Sequence, residues 1–201
     1  MDHTTTTPPS AYDRVMRAIH WATLALVSAT YGLIWLAHSG LIAEAYQPVL
    51  QLHRSFGLTI AALTIFRLAW RWRAQIPPLP GDLAGSQKLA ARITEGLIYV
   101  LLLLQPLLGV LHTGFRGQQV NLYLLGTLPP VVVPDRALAR LTHNLHELGG
   151  NALLIVIGLH AAAALWHHFI RRDGVLLSML PAGWQLRQSS RARTDARGLA
   201  S

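Results

Sequence analysis

Apolar residues fall into four long blocks, about 17–38, 50–72, 93–113 and 144–170, separated by polar connections rich in Pro and Gly. About 20 predominantly apolar residues let an α-helix cross a hydrocarbon core roughly 30 Å thick, and each block reaches that length. The pattern predicts an all-α protein, a four-helix transmembrane bundle of the kind that holds cofactors between facing helices. The first block ends at the breaker pair Ser39-Gly40, and the 73–91 connection carries Pro77, Pro78, Pro80 and Gly81. Pro106 lies inside the third block, where a kink is expected. The long connection 114–142 contains Gly114, Gly117, Pro129, Pro130 and Pro134; between them, 118–128 and 135–142 are expected as short interfacial helices.

Residues 12–184 form the expected membrane domain, with no repeat and no second domain. Residues 1–11 are a polar, Thr-rich tail expected to be disordered, and 185–201 an Arg-rich solvated tail. No small-residue cleavage site follows the first block, so that span is expected to stay in the mature protein.

Composition sharpens this picture. The chain is 52% hydrophobic and only 13% charged, against about 25% charged in soluble domains, so membrane lipid is the expected solvent. There is no cysteine, which excludes disulfides, iron–sulfur clusters and covalent c-type haem attachment. The net charge of +8 is a topology signal rather than a nucleic-acid footprint. Arg14, Arg17, Arg71, Arg73, Lys88, Arg92, Arg171, Arg172, Arg187, Arg191, Arg193 and Arg197 fall on one side of the predicted bundle, and only Arg116, Arg136 and Arg140 on the other. That asymmetry places both termini of a multi-pass membrane protein in the cytoplasm. The tail could also touch anionic lipid.

An ionisable side chain at membrane depth is costly and marks a candidate site. His20 lies near the cytoplasmic end of span one, and His53 opens span two on the outer side. His146 and His160 share span four, fourteen residues apart, which returns to within about 40° of one face and rises about 21 Å. Depth therefore pairs His20 with His160 and His53 with His146. Two imidazoles from separate helices can supply both axial positions of a haem iron, although imidazole suits iron, zinc and copper alike. Arg67, fourteen residues after His53, reaches the depth of the inner pair, where a haem propionate would offset the cost of its charge; the alternative is snorkelling beside Arg71 and Arg73. Arg54 could pair with an outer propionate. His143 competes with His146 but lies about 100° from His160 around the helix, so His146 is preferred. His112 ends span three, where snorkelling is as good a reading as a site. His3 and His38 read as solvent-facing. His167, seven residues past His160, returns to its face and could touch a quinone; His168 points aside.

The motifs AIHW around His20, LHRSFG around His53, FRLAWRWR with Arg67, LHELGGN around His146 and VIGLHAAAALWHHF from His160 through His168 carry a resemblance. Together with the Leu-Ser-Met-Leu-Pro ending at 177–181, the chain resembles the bacterial cytochrome b561 family, specifically its superoxide oxidase type. The resemblance covers roughly 12–184. It implies two haem b groups with bis-histidine ligation and electron exchange with ubiquinone. It further implies that superoxide gives up an electron at the outer surface and that ubiquinone receives it. A mouth in which Arg54, Arg116, Arg136 and Arg140 outnumber Glu44, Asp135 and Glu147 suits an anionic substrate, and His167 suits a proton donor to quinone. The competing expectation is an electron-transfer subunit docked on a redox protein partner, a periplasmic dehydrogenase or hydrogenase. It would call for an apolar or acidic outer patch rather than a basic route.

Overall fold

The computed structural model describes residues 11–122, 126–129 and 131–180. Apart from Ala11 the two expected tails lie outside the described residues. Four long helices build the bundle: α1 (Arg14–His38), α2 (Tyr46–Arg71), α3 (Gly85–Phe115) and α4 (Arg136–Trp166). All four are long and apolar enough to cross a membrane. A π-turn (His167–Arg171) extends α4 and is followed by a short α5 (Val175–Met179).

Local chemistry sets the helix ends. The Asp13 carboxylate accepts from the Met16 N–H at 2.8 Å and starts α1, a cap worth about 1 kcal/mol. Asp135 caps α4 in the same way, accepting from Ala137 and Leu138. That cap corrects one expectation, because 135–142 is the continuous start of α4 rather than a separate interfacial helix. Where the other interfacial helix, 118–128, is expected, the described residues instead form two short antiparallel strands, β1 (Asn121–Leu122) and β2 (Gly126–Thr127), extended by Leu128 N–H to Val120 O. Gly126, the first residue of β2, stands at φ +84°, a left-handed conformation that glycine adopts without steric cost and that a continuous helix does not contain. Helix α3 begins at Gly85, eight residues before the apolar block, and runs through Pro106 without a break.

Close backbone packing joins α1 to α2, α2 to α3, and α3 to α4. Val27, Ile60, Leu102 and Leu153, one from each long helix, form the buried apolar layer at the centre. Val27 is seven residues after His20, Ile60 seven after His53, and Leu153 seven after His146 and seven before His160. Seven residues rise about 10 Å, so this layer separates two histidine levels. Beside it, the Tyr31 hydroxyl donates to Gly150 O at 2.5 Å, tying α1 to α4.

At the end of the bundle where α1 begins and α5 closes, termed inner after the topology that the charge pattern predicts, a bidentate Arg71–Glu95 pair joins α2 to α3. The carbonyls ending α5, which no helical N–H can reach, are taken by α1: Trp21 Nε1 donates to Met179 O and Arg17 Nη1 to Leu180 O.

Candidate functional site

The outer level joins α2 and α4. The rings of His53 and His146 lie 6.2 Å apart between centroids, at 78°. Each ring is held from behind by a backbone carbonyl: His53 Nδ1 donates to Thr30 O at 3.1 Å, and His146 Nδ1 to Gln105 O at 3.0 Å. A carbonyl can only accept, so both rings carry hydrogen on Nδ1 and keep the Nε2 lone pair for another partner. Gly109 lies against His146, because a Cβ there would stand 3.4 Å from Cε1. Gly149 makes room for Gln105, whose Nε2 would sit only 2.0 Å from an added Cβ.

The inner level joins α1 and α4. His20 and His160 face each other with centroids 6.3 Å apart, at 62°. Here no carbonyl orients either ring among the described residues. Instead Arg67 Nη1 approaches His20 Nδ1 at 3.1 Å; a guanidinium only donates, so this nitrogen accepts. The Arg67 guanidinium lies 5.7 Å from the Tyr99 ring. Its buried Nε and the buried Tyr99 hydroxyl have no hydrogen-bond partner among the described residues.

Above the outer pair, Arg116, Arg136 and Arg140 line one open pocket with His112, His143, Phe115 and Asp135. Arg54 is not part of this lining and donates to Gln118. His112 Nδ1 donates to Ala139 O at 2.9 Å, and its ring lies 5.1 Å from that of His143. The structure thus gives His143 a different neighbour from His146.

At the inner boundary His167 Nδ1 donates to Asp173 Oδ2 at 2.5 Å. Burial alone would push the Asp173 carboxyl up, but hydrogen bonds from His167, the Val175 N–H and Arg171 hold it below the ordinary carboxylate range. His168 packs its ring on Phe169, and His38 bonds to Ile34 O of its own helix.

Several of these contacts escape a reading of residue types. The carbonyls of Thr30 and Gln105 bear no mark in the sequence, and the partnership of His112 with His143 needs the α3–α4 packing. Asp173 had a signal, an acid following a basic pair at the end of an apolar span. No group of three or more His, Cys, Asp or Glu placed to hold a metal ion by themselves occurs among the described residues.

Paired imidazoles at two depths of a four-helix membrane bundle define a class of membrane redox scaffold. The chain matches the family model for prokaryotic cytochrome b561 over residues 11–182 and belongs to that family. This is a family of electron-transfer cytochromes, which implies haem b and a multi-pass bacterial membrane protein. It is 29% identical over 167 residues to cytochrome b561 homolog 1 of Escherichia coli (strain K12), covering 81% of this chain and 93% of that protein. A probable superoxide oxidase CybB of Yersinia pestis is 31% identical over 171 residues, covering 85% of this chain and 96% of that one. Cytochrome b562 of Cereibacter sphaeroides is 29% identical over 187 residues, covering 87% of this chain and 98% of that protein.

Proposed function

We propose that the chain is a di-haem cytochrome of the inner membrane that oxidises superoxide at the periplasmic face and reduces ubiquinone near the cytoplasmic face. His53 and His146 would hold the outer haem b, and His20 and His160 the inner one. The ring separations support this fit. Centroids 6.2 and 6.3 Å apart leave room for one metal ion between the two rings of each pair, given imidazole–metal bonds of about 2.0–2.1 Å as at zinc. The open positions at Gly32 and Gly57, where a Cβ would meet nothing within 4 Å, leave space beside the helices.

The donor chemistry agrees at the outer level. Nδ1–H bonded to a carbonyl is the usual support of a metal-binding imidazole, fixing the tautomer that frees Nε2. At the inner level the Arg67–His20 contact puts the lone pair of Nδ1 to use, so iron binding through Nε2 requires Arg67 to turn its donors elsewhere. A propionate is a suitable acceptor, and the orphaned Arg67 Nε supports that assignment. When bound, the two haems supply one-electron carriers.

The observation that carries the superoxide reading is the outer pocket, with three arginines and two histidines around one opening. A cationic mouth raises the local concentration of a small anion. Superoxide needs no proton to give up its electron and leaves as oxygen. Two such electrons and two protons convert ubiquinone to ubiquinol. His167, with Nδ1 engaged by Asp173, is the proposed proton donor to the quinone oxygen. Both termini then lie in the cytoplasm, in keeping with the distribution of Lys and Arg. The superoxide oxidase name of the Yersinia pestis relative points the same way.

Rapid mixing of the oxidised holoprotein with superoxide tests this function. Reduction of the b-type bands within milliseconds, followed by reoxidation only when ubiquinone is present, is expected. Bands that stay oxidised in superoxide yet are reduced by a periplasmic redox protein would overturn the reading in favour of a docked subunit.

A further inference from the structure

The π-turn that ends α4 holds a carboxylate that the proposed chemistry leaves without a role. Six residues in a continuous α-helix would place Asp173 about 240° around the axis from His167. The wide turn at His167–Arg171 changes this, with Arg172 in a left-handed conformation at φ +56° and Asp173 N–H returning to His167 O. The chain folds back, and the Asp173 carboxylate comes to lie against the imidazole. π-turns are uncommon and frequently occur at functional positions.

The carboxylate is held from three directions. Oδ2 accepts from His167 Nδ1 at 2.5 Å and from Arg171 Nε at 3.3 Å, while Oδ1 accepts from the Val175 N–H at 3.1 Å. Arg171 also pairs with Asp82 of the α2–α3 connection, so its charge is shared between two acids. Helix α5, packed against the π-turn, has no ionisable side chain. The charged groups bonded to His167 and its carboxylate among the described residues are Arg171 and, one step further, Asp82, while His168 and Arg172 flank them along the turn. The His167 side chain is 14% exposed and that of Asp173 is 18% exposed, and His167 Nε2 makes no hydrogen bond among the described residues.

We propose that Asp173 is the positioning residue for proton delivery to quinone, acting through His167. This rests on the reading of His167 as the proton donor. The donor is the His167 imidazolium: Asp173 keeps hydrogen on Nδ1, so the proton given up is the one on Nε2. The Nε2–H bond breaks as the quinone O–H bond forms, with the electrons arriving from the superoxide side. The ring remains a neutral Nδ1–H imidazole against the carboxylate, and water at the cytoplasmic side returns the proton. Arg171, anchored by Asp82, fixes the carboxylate without touching the quinone.

The test uses full-length holoprotein, chemically reduced and mixed with a short-chain ubiquinone while haem reoxidation is followed in H2O and D2O. Asp173→Asn should slow maximal reoxidation about tenfold with little change in the half-saturating quinone concentration, and should enlarge the solvent isotope effect. Asp173→Glu should recover most of the rate. Wild-type rate and isotope effect in Asp173→Asn would overturn the role of Asp173, provided that His167→Gln is slow. If His167→Gln itself reoxidises at the wild-type rate, the His167 assignment fails first. An infrared difference spectrum of the wild-type protein between acid and alkaline pH, where imidazole goes from cation to neutral, needs no carboxylate variant. A histidine band of the Nδ1–H tautomer, absent in His167→Gln, is expected; an Nε2–H band would overturn the proposal.

Discussion

The outer and inner histidine pairs have nearly equal ring separations, 6.2 and 6.3 Å, but they are held by different means. At the outer level backbone carbonyls of α1 and α3 fix both rings, and a carbonyl inside a helix cannot swing away. At the inner level the ring contact comes from a long cationic side chain, Arg67, with one buried nitrogen unpaired. The outer imidazoles are thus preorganised by the fold, whereas the inner level contains a charge that awaits an acidic partner. Preorganisation reduces the cost of ordering the ligands when a cofactor binds. In the proposed di-haem protein, loss of cofactor should therefore begin at the inner level.

Removing a ligand gives the largest expected effect. His160→Ala should abolish the inner haem and leave the outer one, lowering a pyridine haemochrome assay from two haems per chain to one. His53→Ala should do the reverse. If either variant keeps two haems, the pairing by depth is wrong. If His160→Ala loses both, the levels are not independent despite the apolar layer of Val27, Ile60, Leu102 and Leu153 between them.

The bundle and the depth pairing were legible because both rest on helical periodicity. Spacings of seven and fourteen residues set His20 with Val27, His53 with Ile60 and Arg67, and His146 with Leu153 and His160 on common stripes, and helix packing brings those stripes together. What was hidden depends on backbone rather than on residue type. The supports of the outer rings are carbonyls of Thr30 and Gln105, which any residue could supply. The 118–128 segment has leucines at a spacing that suits a helix, yet its described residues pair as strands, with Gly126 at a positive φ. Asp173 reaches His167 only because a π-turn and a left-handed Arg172 break the regular geometry on which spacing arguments depend. His143 was weighed against His146 for the same role, while its actual neighbour, His112, lies on another helix.

Arg67 provides a sharper test of the difference between levels. Arg67→Leu should lower the midpoint potential of the inner haem on the order of 50 mV, because a nearby positive charge favours the reduced iron. The outer potential should move much less, since the two levels lie about 21 Å apart along the helix axis. Redox titration of the b-type bands separates the two. Equal shifts at both levels would mean that Arg67 acts through the bundle as a whole, and no shift would leave it a snorkelling residue beside Arg71 and Arg73.

The smallest expected effect concerns the approach to the outer level. Arg116, Arg136 and Arg140 line the pocket, and neither His53 nor His146 is part of its lining. Their contribution is long-range attraction, which ions in solution screen over about 10 Å at 0.1 M salt. Replacing all three with Gln should slow the bimolecular reduction of the haem bands by superoxide about fivefold at low salt, with the spectrum and potentials unchanged. At high salt the wild-type protein and the variant should converge, because screening removes from the wild type what the substitutions remove from the variant. A deficit that persists at high salt would mean that these arginines bind the anion directly. Equal rates at low salt would remove the electrostatic case for superoxide and leave the outer pair open to a protein donor.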